Sequence, residues 1–89
     1  MLTVTEAAWI HLAQMLDNAN VSADAAVRFV AEHDTIKPKL DSIRSGDVIF
    51  EFAGKTILAL NQQMSLTLVD HILDVDDDNN RPQLILLQA

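Results

Sequence analysis

Apolar residues recur along this chain at two periods, and each period points to an element. Ala8, Trp9, Leu12, Met15, Leu16 and Ala19 fall three and four residues apart. That spacing predicts a four-turn helix over 5–19, with Glu6, Gln14 and Asp17 turned to solvent. Thr5 is placed to cap its first turn, and Glu6 stands where the helix dipole favours an anion. Thr3 with Glu6 makes a competing capping box, which leaves the start open by two residues. Ahead of the helix, LTV (2–4) reads as a short strand, and the polar, small-residue stretch NANVSADA (18–25) ends the helix.

The second period is two. In AVRFVAE (26–32), Val27, Phe29 and Ala31 alternate with Arg28, Val30 and Glu32, which predicts a strand with one buried face. DVIFEF (47–52) and KTILALN (55–61) are β-branched, apolar runs joined at Ala53-Gly54, where a glycine accepts positive φ. They read as a tight hairpin. QQMSLTLVDH (62–71) sets Met64 and Leu68 at helical steps and predicts a helix of about two turns. HILDV (71–75) and PQLILLQ (82–88) are two further strands across the turn-forming DDDNNR (76–81). The segment HDTIKPKLDSIRSG (33–46) is the least regular. Pro38 excludes a central strand there, while Ile36, Leu40 and Ile43 leave room for an edge strand.

Length and composition narrow the possible roles. Eighty-nine residues fit one domain, 1–89. A chain of this size buries only about 60% of its unfolded surface, which argues against a large internal active-site cavity. Thirteen acids against six bases leave a net charge of −7, which opposes binding to the phosphates of nucleic acid. The charge is uneven: residues 1–46 carry −2 and residues 47–89 carry −5, with Asp74, Asp76, Asp77 and Asp78 close together. No cysteine is present, so disulfides, thiolate zinc sites, cysteine nucleophiles and cysteine-ligated iron–sulfur clusters within one chain are ruled out. The N-terminus has no basic, apolar signal segment, and no apolar run approaches the roughly 20 residues that span a bilayer. A cytoplasmic protein without membrane contact is the expectation.

LTVTEAAWIHLAQML (2–16), AVRFVAE (26–32), GDVIFEFAGKTILALN (46–61) and LTLVDHILDV (66–75) together resemble the HesB-like, or A-type iron–sulfur carrier, family. The resemblance covers most of the chain and rests largely on hydrophobic patterns. It implies an α+β fold: a small β-sandwich or barrel-like arrangement of mixed strands, with one longer N-terminal helix and one short helix. Cluster-binding members carry one cysteine in the loop after the strand equivalent to 26–32, and a further Cys-x-Cys-type pair in a tail beyond the last strand. Here that loop reads EHDTIKPK (32–39), and the sequence ends at Ala89 without such a pair. No cluster-ligating residue carries over. The sequence looks more like the short, acidic, cysteine-free HesB-like proteins of bacteria.

Candidate chemistry is sparse. Glu32, His33 and Asp34 offer carboxylate and imidazole donors for Fe(II) or Zn(II) beside the missing cysteine, although neighbours in a strand point to opposite faces. DVDDDNNRPQLI (74–85) opens like a calcium loop but has Asn79 where glycine is needed and Ile85 where a bidentate Glu is needed. His11 and His71 are isolated, and Trp9 lies on the apolar helix face. Serines without a nucleophile-elbow pattern and only two glycines offer neither a triad nor a phosphate loop. The expectation is a non-catalytic binding or scaffold protein with no cofactor and an unidentified protein partner. The alternative is thiol-independent iron handling in cluster assembly. An uncovered strand edge near Ile36–Ile43 makes a homodimer the expected assembly.

Overall fold

The computed structural model describes residues 1–77 and 80–88. Its elements are β1 (Thr3–Val4), α1 (Glu6–Ala19), β2 (Ala25–Glu32), β3 (Thr35–Ser42), β4 (Val48–Phe52), β5 (Lys55–Leu60), α2 (Gln62–Thr67), β6 (His71–Asp76) and β7 (Gln83–Gln88). They form two sheets, ordered β3-β2-β5-β4 and β1-β6-β7. The expected α+β architecture of mixed strands, one longer N-terminal helix and one short helix is the one observed.

Helix α1 begins as its sequence requires. The Thr5 hydroxyl accepts the Ala8 N–H at 3.2 Å, so Thr5 and not Thr3 is the cap. The same hydroxyl donates to Asp74 Oδ1 at 2.8 Å, and Thr5 N–H bonds the Leu73 carbonyl at 3.0 Å. The helix start is thereby tied to β6. At the other end Asn20 adopts the left-handed conformation that terminates helices, with φ 52°. Ala8, Leu12 and Leu16 are buried, and Trp9 stacks on Phe52 with ring centroids 5.7 Å apart. These helix residues belong to one core with Val27, Phe29, Phe50, Leu58, Leu60, Leu68 and Leu73.

One expectation needs correction. Strand β2 is not buried on one face alone: Ala26, Val27, Arg28 and Phe29 are all buried, so its first half is covered on both sides. The irregular segment after it is an eight-residue edge strand, β3, paired with β2 along its whole length from Ala25↔Ser42 to Glu32↔Thr35. A two-residue turn, His33-Asp34, joins them, with φ of 48° and 67°. Positive φ at both positions matches the right-handed twist of a hairpin, and His and Asp tolerate it better than most side chains. Helix α2 has about the two turns expected: it ends at Thr67, and a turn carries the chain through Leu68 into β6.

The hairpin at Ala53-Gly54 forms as read, with φ of 55° and 79°. Glycine suits the second position, whereas Ala53 holds a left-handed backbone against its own Cβ. Strand β4 carries a bulge between Phe50 and Glu51. Strands β6 and β7 pair in continuous antiparallel register from His71↔Gln88 to Asp76↔Gln83. Part of the expected 76–81 turn, Asp78 and Asn79, lies outside the described residues.

Candidate functional site

Antiparallel pairing places directly opposed side chains on the same face of a sheet. In one sheet the register sets Phe29 opposite Pro38 and Ala31 opposite Ile36. In the other it sets Leu73 opposite Leu86 and Val75 opposite Leu84. Between these faces lies a cleft of about 370 Å³, lined by Phe29, Asp34, Thr35, Ile36, Pro38, His71, Leu73, Leu84 and Leu86. Aliphatic and aromatic side chains alternate in its walls with three polar residues, Asp34 and Thr35 at the corner of the hairpin and His71 at the start of β6. Thr35 is fixed by donating its hydroxyl to the Glu32 carbonyl at 2.7 Å.

His71 is held at the start of β6, where its N–H bonds the Leu68 carbonyl at 3.0 Å. Its Nδ1 is buried and has no hydrogen-bond partner among the described residues. Leaving a buried polar atom unpaired costs about 1–3 kcal/mol, so a group that supplies the missing partner gains that amount.

The structure brings only part of the predicted donor set to this point. Asp34 lines the cleft, whereas Glu32 ends β2 and His33 is the first residue of the turn, both exposed. Among the described residues no group of three His, Asp or Glu side chains is arranged to hold a metal ion. His11 lies half-buried on α1, away from the cleft lining. Of the calcium-like aspartates, Asp74 is already engaged. Its Oδ1 accepts the Val75 N–H at 2.8 Å and the Thr5 hydroxyl, and these bonds, the backbone one first, hold its pKa below the usual carboxylate value. Asp78 lies outside the described residues.

One charged pair escaped sequence reading altogether. Arg28, alternating on β2 as if toward water, is 5% exposed and forms a bidentate ion pair with Asp47. Asp47 also accepts the Arg44 N–H at 2.7 Å, closing the turn that precedes β4. The hydrogen bond from Arg28 lowers the Asp47 pKa against the opposing effect of burial, and the same bond raises that of Arg28. The pair positions the 43–47 segment against the sheet. Neither residue lines the cleft, and the pair's role is architectural.

The architecture has clear counterparts among solved structures. SufA of Escherichia coli, involved in the biosynthesis of iron–sulfur clusters, superposes with a TM-score of 0.68. At 23% identity, 98% of this chain and 84% of SufA are covered. The fold is that of the A-type iron–sulfur carriers. IscA, solved with its [2Fe-2S] cluster, matches with a TM-score of 0.64 at 18% identity, covering 99% of this chain and 85% of IscA. No protein-family model and no curated protein matches the sequence. The HesB-like fold expected from the hydrophobic pattern is thus observed over nearly the whole chain, in a sequence with no cysteine. Among the described residues no helix is long and apolar enough to cross a membrane.

Proposed function

We propose that this chain is a non-catalytic binding or scaffold protein built on the carrier fold, working through contact with a protein partner and without a cluster of its own. The observation that carries this reading is the union of an intact carrier core with a donor set that does not fit an iron–sulfur cluster. Such clusters are held by thiolates, and the chain has none. The remaining soft or borderline donors are three histidines and three methionine thioethers, and among the described residues no group of three His, Asp or Glu side chains is arranged to hold a metal ion. The acidic charge of −7 favours basic partner surfaces over nucleic acid or anionic lipid. Anaerobic reconstitution with iron and sulfide is the test. The protein should stay colourless after desalting, and stoichiometric visible absorption with bound iron and sulfide would overturn the reading.

A second reading, iron handling without thiolate, draws on one specific feature: His71, whose Nδ1 has no hydrogen-bond partner among the described residues, lines the same cleft as Asp34. Imidazole and carboxylate suit Fe(II), and solvent would complete the coordination. Calorimetric titration of Fe(II) into the wild type, His71→Ala, Asp34→Asn and a Glu32→Gln/His33→Ala variant separates the possibilities. Saturable binding lost in the first two variants supports this reading. Heat absent in all four proteins removes it.

A further inference from the structure

The cleft between the two sheets stays open because the helices pack chiefly elsewhere: α1 lies against β2, β5 and β6, and α2 against β5. Phe29 and Leu73, 5% and 1% exposed, form its floor, and Ile36, Leu84 and Leu86 are half-buried along its walls. Its volume of about 370 Å³ stands at the low end of small-molecule sites, which run from about 300 to 1,000 Å³. That space suits a single ring or a short alkyl chain.

The charge it offers is of one sign. Asp34 supplies a carboxylate, and no Lys or Arg is among the lining residues. Strand alternation explains their absence. Ile36 and Pro38 line the cleft, so Lys37 and Lys39 turn to the other face of β3, opposite Val30 and Arg28. The net charge of −7 adds to the exclusion of anions. Thr35 has already committed its hydroxyl to the Glu32 carbonyl. The side chains left to meet a ligand are Asp34 and His71, whose Nδ1 has no hydrogen-bond partner among the described residues. A carboxylate only accepts hydrogen bonds, and a neutral imidazole has one accepting nitrogen. The complementary head group is therefore a donor, and a cationic donor makes the stronger bond.

We propose that this cleft binds a small organic cation, an amine with a compact apolar body. The ammonium bonds the Asp34 carboxylate at the polar corner beside His71, and the body covers Phe29, Leu73 and Leu86. The site requires no iron and no protein partner, so it stands or falls separately from the scaffold reading.

Three probes that share one body and differ in the head group test this: 2-phenylethylamine, 2-phenylethanol and phenylacetate. Each is titrated into nitrogen-15-labelled protein, and amide shifts are followed at about 0.15 M salt, which limits long-range attraction to about 8 Å. Asp34→Asn removes the carboxylate and keeps a side chain that tolerates the φ of 67°. Glu51→Gln, at an exposed position of β4 outside the cleft, makes the same change in net charge. In the wild type and E51Q the amine should saturate, with shifts centred on Ile36, Leu73 and Leu86 and an affinity about tenfold above that of phenylacetate. In D34N the amine should bind no better than the alcohol. Failure of the amine to approach saturation by about 10 mM, a weak limit for a ligand of this size, overturns the proposal. So do shifts centred outside the cleft, or phenylacetate binding as well as the amine. Equal losses in D34N and E51Q also overturn it, because they mark general attraction to an acidic molecule.

Discussion

Removing the Asp47 carboxylate should reveal how strongly one buried ion pair holds this fold. The Arg28 and Asp47 side chains are 7% and 3% exposed, so neither is free to be hydrated in place. Asp47→Ala strands the guanidinium inside the molecule and also orphans the Arg44 N–H that closes the turn. Breaking a buried pair by deleting one partner costs about 3–5 kcal/mol. The lower end, about 3 kcal/mol, applies here, because Arg28 lies on an outer strand face where modest rearrangement readmits water. For a domain near this size each kcal/mol shifts the melting temperature by roughly 4–8 °C, so the loss should be about 12–24 °C in calorimetry. The double variant Arg28→Met/Asp47→Asn keeps the acceptor for Arg44 and removes both charges, and it should recover most of that loss. The pH dependence has a definite sign. Asp47 is depressed below its ordinary carboxylate value, chiefly by the Arg28 hydrogen bond. Its stabilisation is therefore complete above the unfolded value of about 3.9 and disappears as pH falls through the lower folded value. The raised Arg28 value matters only in strong alkali. Asp47→Asn should flatten this acid limb of the stability curve. A cost below 1 kcal/mol for Asp47→Ala, with no recovery in the double variant, would show the pair to be solvated and refute the reasoning.

The remaining predictions concern local geometry and can be checked by urea or thermal unfolding. Ala53→Asn should stabilise by about 0.5–1 kcal/mol, since asparagine tolerates the positive φ of 55° better than alanine; a destabilised variant would contradict this. Gly54→Ala should cost about 1 kcal/mol from backbone strain alone, because its Cβ would meet nothing within 4 Å. Thr5→Ala should cost about 1 kcal/mol through the lost cap, while Thr5→Ser should restore it. Leu12→Ala, at a fully buried position of α1, should cost about 3 kcal/mol by opening a cavity, whereas Ile10→Ala on the exposed side should fall within about 0.5 kcal/mol of wild type.

Most elements were legible because they are encoded locally. The apolar spacing of α1, the Thr5 cap and the Ala53-Gly54 hairpin each depend on residues within a few positions of one another, and the structure shows all three. The carrier fold was legible for a related reason: its order of periodic segments survives at 23% identity to SufA, since cores conserve pattern more than letters. The candidate site was legible only in pieces. Asp34 stood out as a donor in a polar triplet and His71 as an isolated histidine, and nothing along the chain linked the two. Their common cleft arises because the β2–β3 hairpin of one sheet faces β6 and β7 of the other.

The sequence by itself determined the order of most helices and strands, which face of α1 is apolar, and that this chain has no thiol to hold iron. Only the tertiary structure decided that Arg28 is buried, that the segment with Pro38 is a full edge strand, and that Asp34 and His71 line one cleft. The physical reason is range. A period reports the face an element turns toward its own core, but what covers the other face depends on residues far away in the chain. Asp47 lies 19 positions from Arg28, and β2 makes a strand of a segment whose own propensity would not.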